Sequence, residues 1–404
     1  MPYVNTKGRQ FIMSRTHQQL SLQRTAGRQN VLLKLFSFSN YSTSSILLTV
    51  FPVYFASLGF SKTEIGLIFS IGPSMGILSN LIWGIASDRY QTIKKVLVVV
   101  LLGELAAAML MFQFNRFAIV FPLMAAFYFF QTPITSLNDS QILLATRNSG
   151  KSYASFRVFG SLGFALSSVV FGFFLSKEDM SRTALLCVVT ISITLLIALC
   201  TRDARGSSKK MDLSGIRGVF LSRPFLVFLA LVLFLAVAAK INDSFLSLYM
   251  VELGASQTII GFSWMISAVS EIPMFLLLAR YGHKFKELPL LAFASVAFAL
   301  RFLLLALPIS PYAVLAIQTM HSVSYGIFLV TAMRYLQDLI PDRFRATGQA
   351  VFTMTWSGLA GLLSGSIGGA VFDNHGPHAL YSLAAACAAI AACGFTLSSL
   401  RTRR

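Results

Sequence analysis

Charge is scarce in this sequence. Only 12% of its 404 residues are Asp, Glu, Lys or Arg, while 55% are hydrophobic and the mean hydropathy is +0.71. A soluble domain carries about 25% charge, so a chain this poor in it cannot cover its surface for water. Cysteine is also scarce. Cys187, Cys200, Cys387 and Cys393 all lie in apolar runs, where they act as small hydrophobes and give no disulfide framework. Acids are outnumbered, 15 against 33 Lys and Arg, for a net charge of +18. The basic residues stand in short clusters between apolar segments, with no stripe interleaved with aromatics, which argues against nucleic acid as a partner. The first thirty residues lack an apolar core, so no cleavable signal peptide is expected. Residues 1–29 read instead as a disordered basic arm, with Met13 as an alternative start. There is no GxxxxGK[ST], no CxxC and no HExxH. ATP drive is thereby excluded, and the chain is not expected to be an enzyme. His283, His375 and His378 fall in loops and suggest no metal site.

What the sequence has in abundance is long apolar runs. A helix needs about 20 apolar residues to cross a bilayer. Twelve such runs are expected, near 30–57, 63–87, 94–112, 117–145, 152–176, 181–201, 223–250, 257–280, 288–307, 311–338, 346–371 and 377–399. Helices satisfy their own backbone groups in lipid, so the expected class is an all-α membrane protein. Lys and Arg set the orientation. Twenty-four of the 33 fall on the side of the N-terminus, against four on the other, Lys62, Arg116, Lys177 and Arg182. Both termini are therefore expected in the cytoplasm and the chain multi-pass in the cell membrane. The longest loop, Arg202 to Pro224, divides the chain into six spans and six. The expected domains are a cytoplasmic arm (1–29), a first bundle (30–201), a central cytoplasmic loop (202–222) and a second bundle (223–400).

One line is written twice. "VYFASLGFSKTEIG" from Val53 returns as "LYMVELGASQTIIG" from Leu248. Tyr54, Leu58, Gly59, Ser61, Thr63, Ile65 and Gly66 each recur 195 residues later. Six spans separate the copies, so both run in the same direction. Parallel repeats about an axis along the membrane normal are the layout of the halves of major facilitator superfamily transporters.

The chain resembles that superfamily over nearly its whole length. "GIASDRYQTIKK" is similar to its G-x-x-x-D-R-x-G-R-K signature: Gly84, Asp88 and Arg89 match, and Gln91 stands in place of the second glycine. The resemblance implies a latch at the cytoplasmic helix ends from Gly84, Asp88 and Arg89; the plainer reading is a positive loop. "NDSQILLATRNSGKSYASFRVFGSLGFALSSVVFG" is similar to the lactose, nucleoside and phenylpropionate permease branch of proton symporters. That branch places an acid on span four opposite an arginine on span five, here Asp139 and Arg157. "AVSEIP", "FALRF", "QTMHSVSYG" and "AMRYL" continue the match. Ser324 replaces a carboxylate found three residues after the position of His321, and Phe164 replaces a sugar-stacking tryptophan, which argues against lactose itself.

Charged side chains at membrane depth cost about 2.5–3.5 kcal/mol each and need a partner or a wet cavity. Asp139 and Arg157 are equidistant from the loop "RNSGK", which puts both roughly 10 Å inside the cytoplasmic ends. They form either a structural salt bridge or a substrate anchor. Arg301 and His321 flank "PISPY" and lie roughly 15 Å deep, with Glu271 at comparable depth on span eight. Glu271 is the expected proton carrier, tuned by Arg301 and His321. A neutral interhelical histidine and a structural Glu271–Lys240 or Glu271–Arg301 pair are the alternatives. Lys240 and Asp243 read as a local pair, Glu104 has no evident partner, and Lys34 and Arg334 are expected to snorkel. Tyr41 and Phe164 are expected to bind substrate; Phe38, Phe159, Tyr249, Trp264 and Trp356 are further candidates for a midplane cavity. The GxxxG spacings Gly72–Gly76 and Gly361–Gly365–Gly369 read as close helix packing.

The resemblance implies alternating access and proton-coupled symport of a sugar, nucleoside or aromatic acid by a monomer. Its partners are the bilayer, protons and a small solute, and no cofactor serves beyond the proton gradient. A proton-coupled efflux antiporter for amphipathic compounds is the alternative; it has no need of a fixed arginine such as Arg157.

Overall fold

The computed structural model describes residues 27–147, 153–175, 180–203, 221–341 and 344–401. The N-terminal arm and most of the central loop lie outside the described residues. Every described element is a helix. Residues 27–45, a π turn at Ile46–Val50 and Phe51–Ser57 form α1. Then come α2 (Lys62–Tyr90), α3 (Ile93–Met111), α4 (Phe117–Arg147), α5 (Ala154–Phe174), α6 (Arg182–Cys200), α7 (Arg223–Glu252), α8 (Gln257–Tyr281) and α9 (Glu287–Leu305). Pro311–Gln318, a π turn at Ser322–Gly326 and Ile327–Leu339 make α10. Arg345–Thr353, a π turn at Met354–Leu359 and Ala360–Arg401 make α11, which breaks at Gly376 (φ 77°).

Nine stretches among the described residues are long and apolar enough to cross a membrane, against the twelve expected. The difference has visible origins. α1 is rich in serine, threonine and asparagine from Ser37 to Ser45, α3 carries Lys94, Lys95 and Glu104, and α11 runs through two expected spans across Gly376. Large apolar side chains cover the outside: Leu276 is 69% exposed and Phe173 67%. A water-facing surface of that kind is untenable, and in lipid it is the favourable one.

The repeated line builds two equal corners. Gly59 and Gly254 end α1 and α7 at φ 86° and 84°, a left-handed conformation that glycine adopts without penalty. Phe60 N–H donates to the Phe55 carbonyl and Ala255 N–H to that of Met250, the long bond of a Schellman motif. Ser61 and Ser256 then cap α2 and α8, accepting from the N–H groups of Glu64 and Ile259. Only the first copy is a full capping box, because Glu64 reaches back to Ser61 N–H and Ile259 cannot.

These corners lie where the first half of the chain meets the second. A Cβ on Gly66 would stand 2.1 Å from the Gly365 carbonyl oxygen, and one on Gly261 2.1 Å from that of Ser168. So α2 lies against α11, and α8 against α5, backbone to backbone. Thr258 donates to the Gly172 carbonyl at 3.0 Å and Ser168 to that of Gly261 at 3.1 Å. Asp373 of α11 accepts from the N–H groups of Lys62 (3.0 Å) and Thr63 (2.7 Å) and from the Thr63 hydroxyl. Lys62 also pairs with Glu252 at 2.9 Å, an exposed contact worth at most about 1 kcal/mol. All these contacts are on the face away from the Lys- and Arg-rich loops, called the outer face below. The halves are closed there.

Two outcomes follow. Gly66→Leu cannot close against Gly365, so the outer face is expected to stand open. A single cysteine at position 164, in a cysteine-free background, should then react many-fold faster with a membrane-impermeant maleimide; an unchanged rate contradicts it. Asp373 sits beyond the expected span 346–371. Burial pushes its carboxyl up, but the Thr63 hydroxyl, the N–H groups of Thr63 and Lys62 and the Lys62 charge outweigh this and hold it below the ordinary value. A depressed pKa means that its contribution to closure is complete above the ordinary carboxylate range and is lost as pH falls through the lowered value. Relative to a free thiol labelled at the same pH, since the thiolate is the reactive form, labelling should therefore be flat from pH 7 to 5 in the parent chain. Asp373→Ala should raise it about tenfold or more at pH 7, three bonds to a charged group being lost.

Candidate functional site

Behind the closed outer face lies a cavity of about 230 Å³ between α1, α5, α7, α8, α9, α10 and α11. Arg157 of α5 lies over the ring of Tyr41 on α1, Cζ to centroid 4.2 Å. Gly160, one turn along α5, leaves the room: a Cβ there would meet the Tyr41 ring at 2.7 Å and Arg157 Nη1 at 2.8 Å. Arg157 Nη1 is buried with no hydrogen-bond partner among the described residues. No ion pair joins Arg157 to Asp139. The Asp139 carboxylate takes a hydrogen bond from Tyr153 instead and sits behind the cavity wall, not in it. Phe164 lines the cavity and meets Trp264 edge-on at 6.1 Å.

On the opposite wall the expected charged trio is in direct contact. Arg301, 1% exposed, donates from Nη1 to His321 Nδ1 at 2.7 Å and from Nη2 to the Gln318 side chain. His321 Nε2 lies 2.8 Å from Glu271 Oε1. A guanidinium only donates. His321 Nδ1 must therefore accept, which places the imidazole proton on Nε2, facing Glu271. The chain has one direction, Arg301 to His321 to Glu271, and the histidine is held neutral. Tyr325 stacks on the His321 ring at 4.9 Å. The π turn at Ser322–Gly326 begins at the next residue, and the other at Met354–Leu359 carries Trp356 into the same cavity. Such turns often mark functional positions in helices.

Lys240 and Asp243 pair at 2.8 Å and both line the cavity, a placement beyond the local pair expected. Tyr325, Ser161 and Asn242 line it too and went unread in the sequence, where uncharged residues in apolar helices give no signal of the face they present. Tyr249 packs on Tyr381, and Phe38 and Phe159 are outside the lining. Glu104 is buried in α3, away from the cavity, with no hydrogen bond or ion pair among the described residues. Arg334 does not snorkel: it bonds the Gly282 carbonyl and the Glu287 carboxylate. Lys34 stands over Phe159 at 4.8 Å. At the other end of α2, Asp88 and Arg89 are exposed, and a Cβ on Gly84 would meet only open space. No side-chain contact of the latch expected of Gly84, Asp88 and Arg89 reaches the second half among the described residues. Gln91, where the signature has glycine, adopts φ 52° and caps α2 with its side chain on the Asp88 carbonyl.

Residues 31–383 match the model of the MFS_1-like family. The chain is 26% identical over 385 residues to the maltose permease of Geobacillus stearothermophilus, covering 94% of this chain and 96% of that protein. It is 27% identical over 342 residues to the putative nucleoside transporter YegT of Escherichia coli (strain K12), covering 80% and 79%. The crystal structure of the nucleoside transporter NupG superposes with a TM-score of 0.80 at 17% identity, over 91% of this chain and 98% of that one. The match to the family model spans most of the sequence, and the relatives are transporters matched over about four fifths of their length or more. The chain is a membrane transporter, not an enzyme, and belongs to the MFS_1-like family of the major facilitator superfamily.

Proposed function

We propose that the protein is a proton-coupled symporter that takes up a small organic solute, a sugar, nucleoside or aromatic acid, by alternating access. The observation that carries this is the directed chain Arg301–His321–Glu271 on one cavity wall, facing the spare donor of Arg157 on the other. Every other charge lining the cavity already has a partner within hydrogen-bond reach. Arg157 and Tyr41, with Phe164 and Trp264 beside them, hold the solute through a guanidinium fork and ring faces. Asp139 stands behind as the acid that balances Arg157. Glu271 takes up the proton. His321, kept neutral by Arg301, holds one carboxylate oxygen and leaves the other for protonation.

Residues 30–201 and 223–400 rock as two bundles about this cavity. The corners at Ser61–Gly66 and Ser256–Gly261 are the outer gate, shut in this conformation; Gly84, Asp88 and Arg89 close the opposite side when the outer gate parts. Lys and Arg asymmetry puts both termini in the cytoplasm of a cell-membrane protein. The transporter acts as a monomer, with the proton gradient in place of a cofactor.

Entrance counterflow tests the solute-binding part without requiring coupling. Proteoliposomes loaded with an unlabelled sugar, nucleoside or aromatic acid should transiently accumulate the labelled form for one of these classes. Counterflow by amphipathic cations alone overturns the reading.

A further inference from the structure

A second cavity opens at the basic-loop end of the second half, separate from the solute cavity, and measures about 350 Å³. Its floor is apolar, formed by Val227 and Leu231 of α7, Leu288 of α9 and Phe395 of α11. Its rim carries Arg223, the first residue of α7, and Arg401, the last of α11. Both arginines are exposed, and neither has an acidic partner or a hydrogen bond among the described residues. Of the acids on the neighbouring helices, Glu287 is already bonded to Arg334, and Asp338 lies on α10 one turn beyond Tyr335.

We propose that this cavity binds the headgroup phosphate of an anionic phospholipid, with the first acyl methylenes laid over its floor. The two halves of the cavity require one molecule that is both anionic and apolar. A free inorganic anion would satisfy the arginines and leave the floor in water. A zwitterionic lipid would cover the floor and bring its own cation to the rim. Lys284 and Lys286 contribute to the same positive face but stand on an exposed loop outside the cavity lining. In the orientation proposed above, the lipid belongs to the cytoplasmic leaflet. The site joins the ends of α7, α9 and α11, so its occupant ties together helices of one half.

The test uses the full chain, purified in detergent and titrated with phosphatidylglycerol under native mass spectrometry. Each basic side chain near an anionic headgroup contributes about fivefold in affinity. Arg223→Gln/Arg401→Gln should weaken phosphatidylglycerol binding about 25-fold, with little effect from Lys284→Gln/Lys286→Gln. Phosphatidylcholine should bind the parent chain no better than it binds the double arginine variant. Equal loss in both double variants overturns the proposal, as does displacement of phosphatidylglycerol by millimolar inorganic phosphate, which would assign a soluble-anion site. A measurement on the unaltered chain covers misfolding of the variants. Phosphatidylglycerol bearing a photoreactive group near the headgroup should crosslink to peptides 223–231 and 395–401, and crosslinks spread evenly around the membrane belt contradict the site.

Discussion

Glu271→Gln should abolish uphill accumulation of the solute and leave solute exchange intact. The substitution is nearly isosteric. The amide oxygen of glutamine still accepts from His321 Nε2–H, so the chain from Arg301 through His321 survives. What is lost is the site of proton uptake alone. Exchange of bound solute requires the cavity to reorient loaded and needs no net proton movement. Accumulation requires the carboxyl to load a proton on one side and release it on the other. Retained accumulation in Glu271→Gln would remove Glu271 as the carrier. Loss of both accumulation and exchange would make it a structural partner of His321.

Arg157→Ala should raise the half-saturating solute concentration by about ten- to a hundredfold, the range for hydrogen bonds to a charged group, about 1.5–3 kcal/mol. Arg157→Lys should rescue little of it. Lysine keeps the charge but has neither the planar fork nor the stacking surface that the Tyr41 ring meets at 4.2 Å. The Lys variant therefore separates solute recognition from charge balance with Asp139. Full rescue by lysine would mean that Arg157 only neutralises that acid. An unchanged half-saturating concentration in Arg157→Ala would take the residue out of the binding site.

The sequence made much of this legible because charge in an apolar helix is expensive and must be explained. Arg301, His321 and Glu271 stand out for that reason; counting residues to a shared turn gives the depth of Arg301 and His321, and Glu271 lies a comparable distance into span eight. The repeat at Val53 and Leu248 was equally plain, but its use was not. Its glycines and threonines touch residues about 300 and 90 positions away, such as Asp373 and Gly172, and no local pattern points to those. The GxxxG spacing of Gly361, Gly365 and Gly369 reads as ordinary helix packing. The structure puts Gly365 and Gly369 against α2, at the outer gate itself. Rotation was the other obscure quantity. Depth places Asp139 and Arg157 side by side, but Tyr153 takes Asp139, and only Arg157 reaches the cavity. Tyr325 and Trp356 enter it from within π turns, which shift the helix face in a way that a regular 3.6-residue period does not reproduce.

In the proposed mechanism Glu271 couples proton entry to the entry of solute held by Arg157. Proteoliposomes with a pH-sensitive dye inside test it directly, using the solute class identified by counterflow, with Glu271→Gln and Arg157→Ala alongside. The expected result is acidification of the lumen on adding solute outside, absent in both variants. Solute uptake without acidification in the parent chain, or acidification that persists in Glu271→Gln, would contradict it.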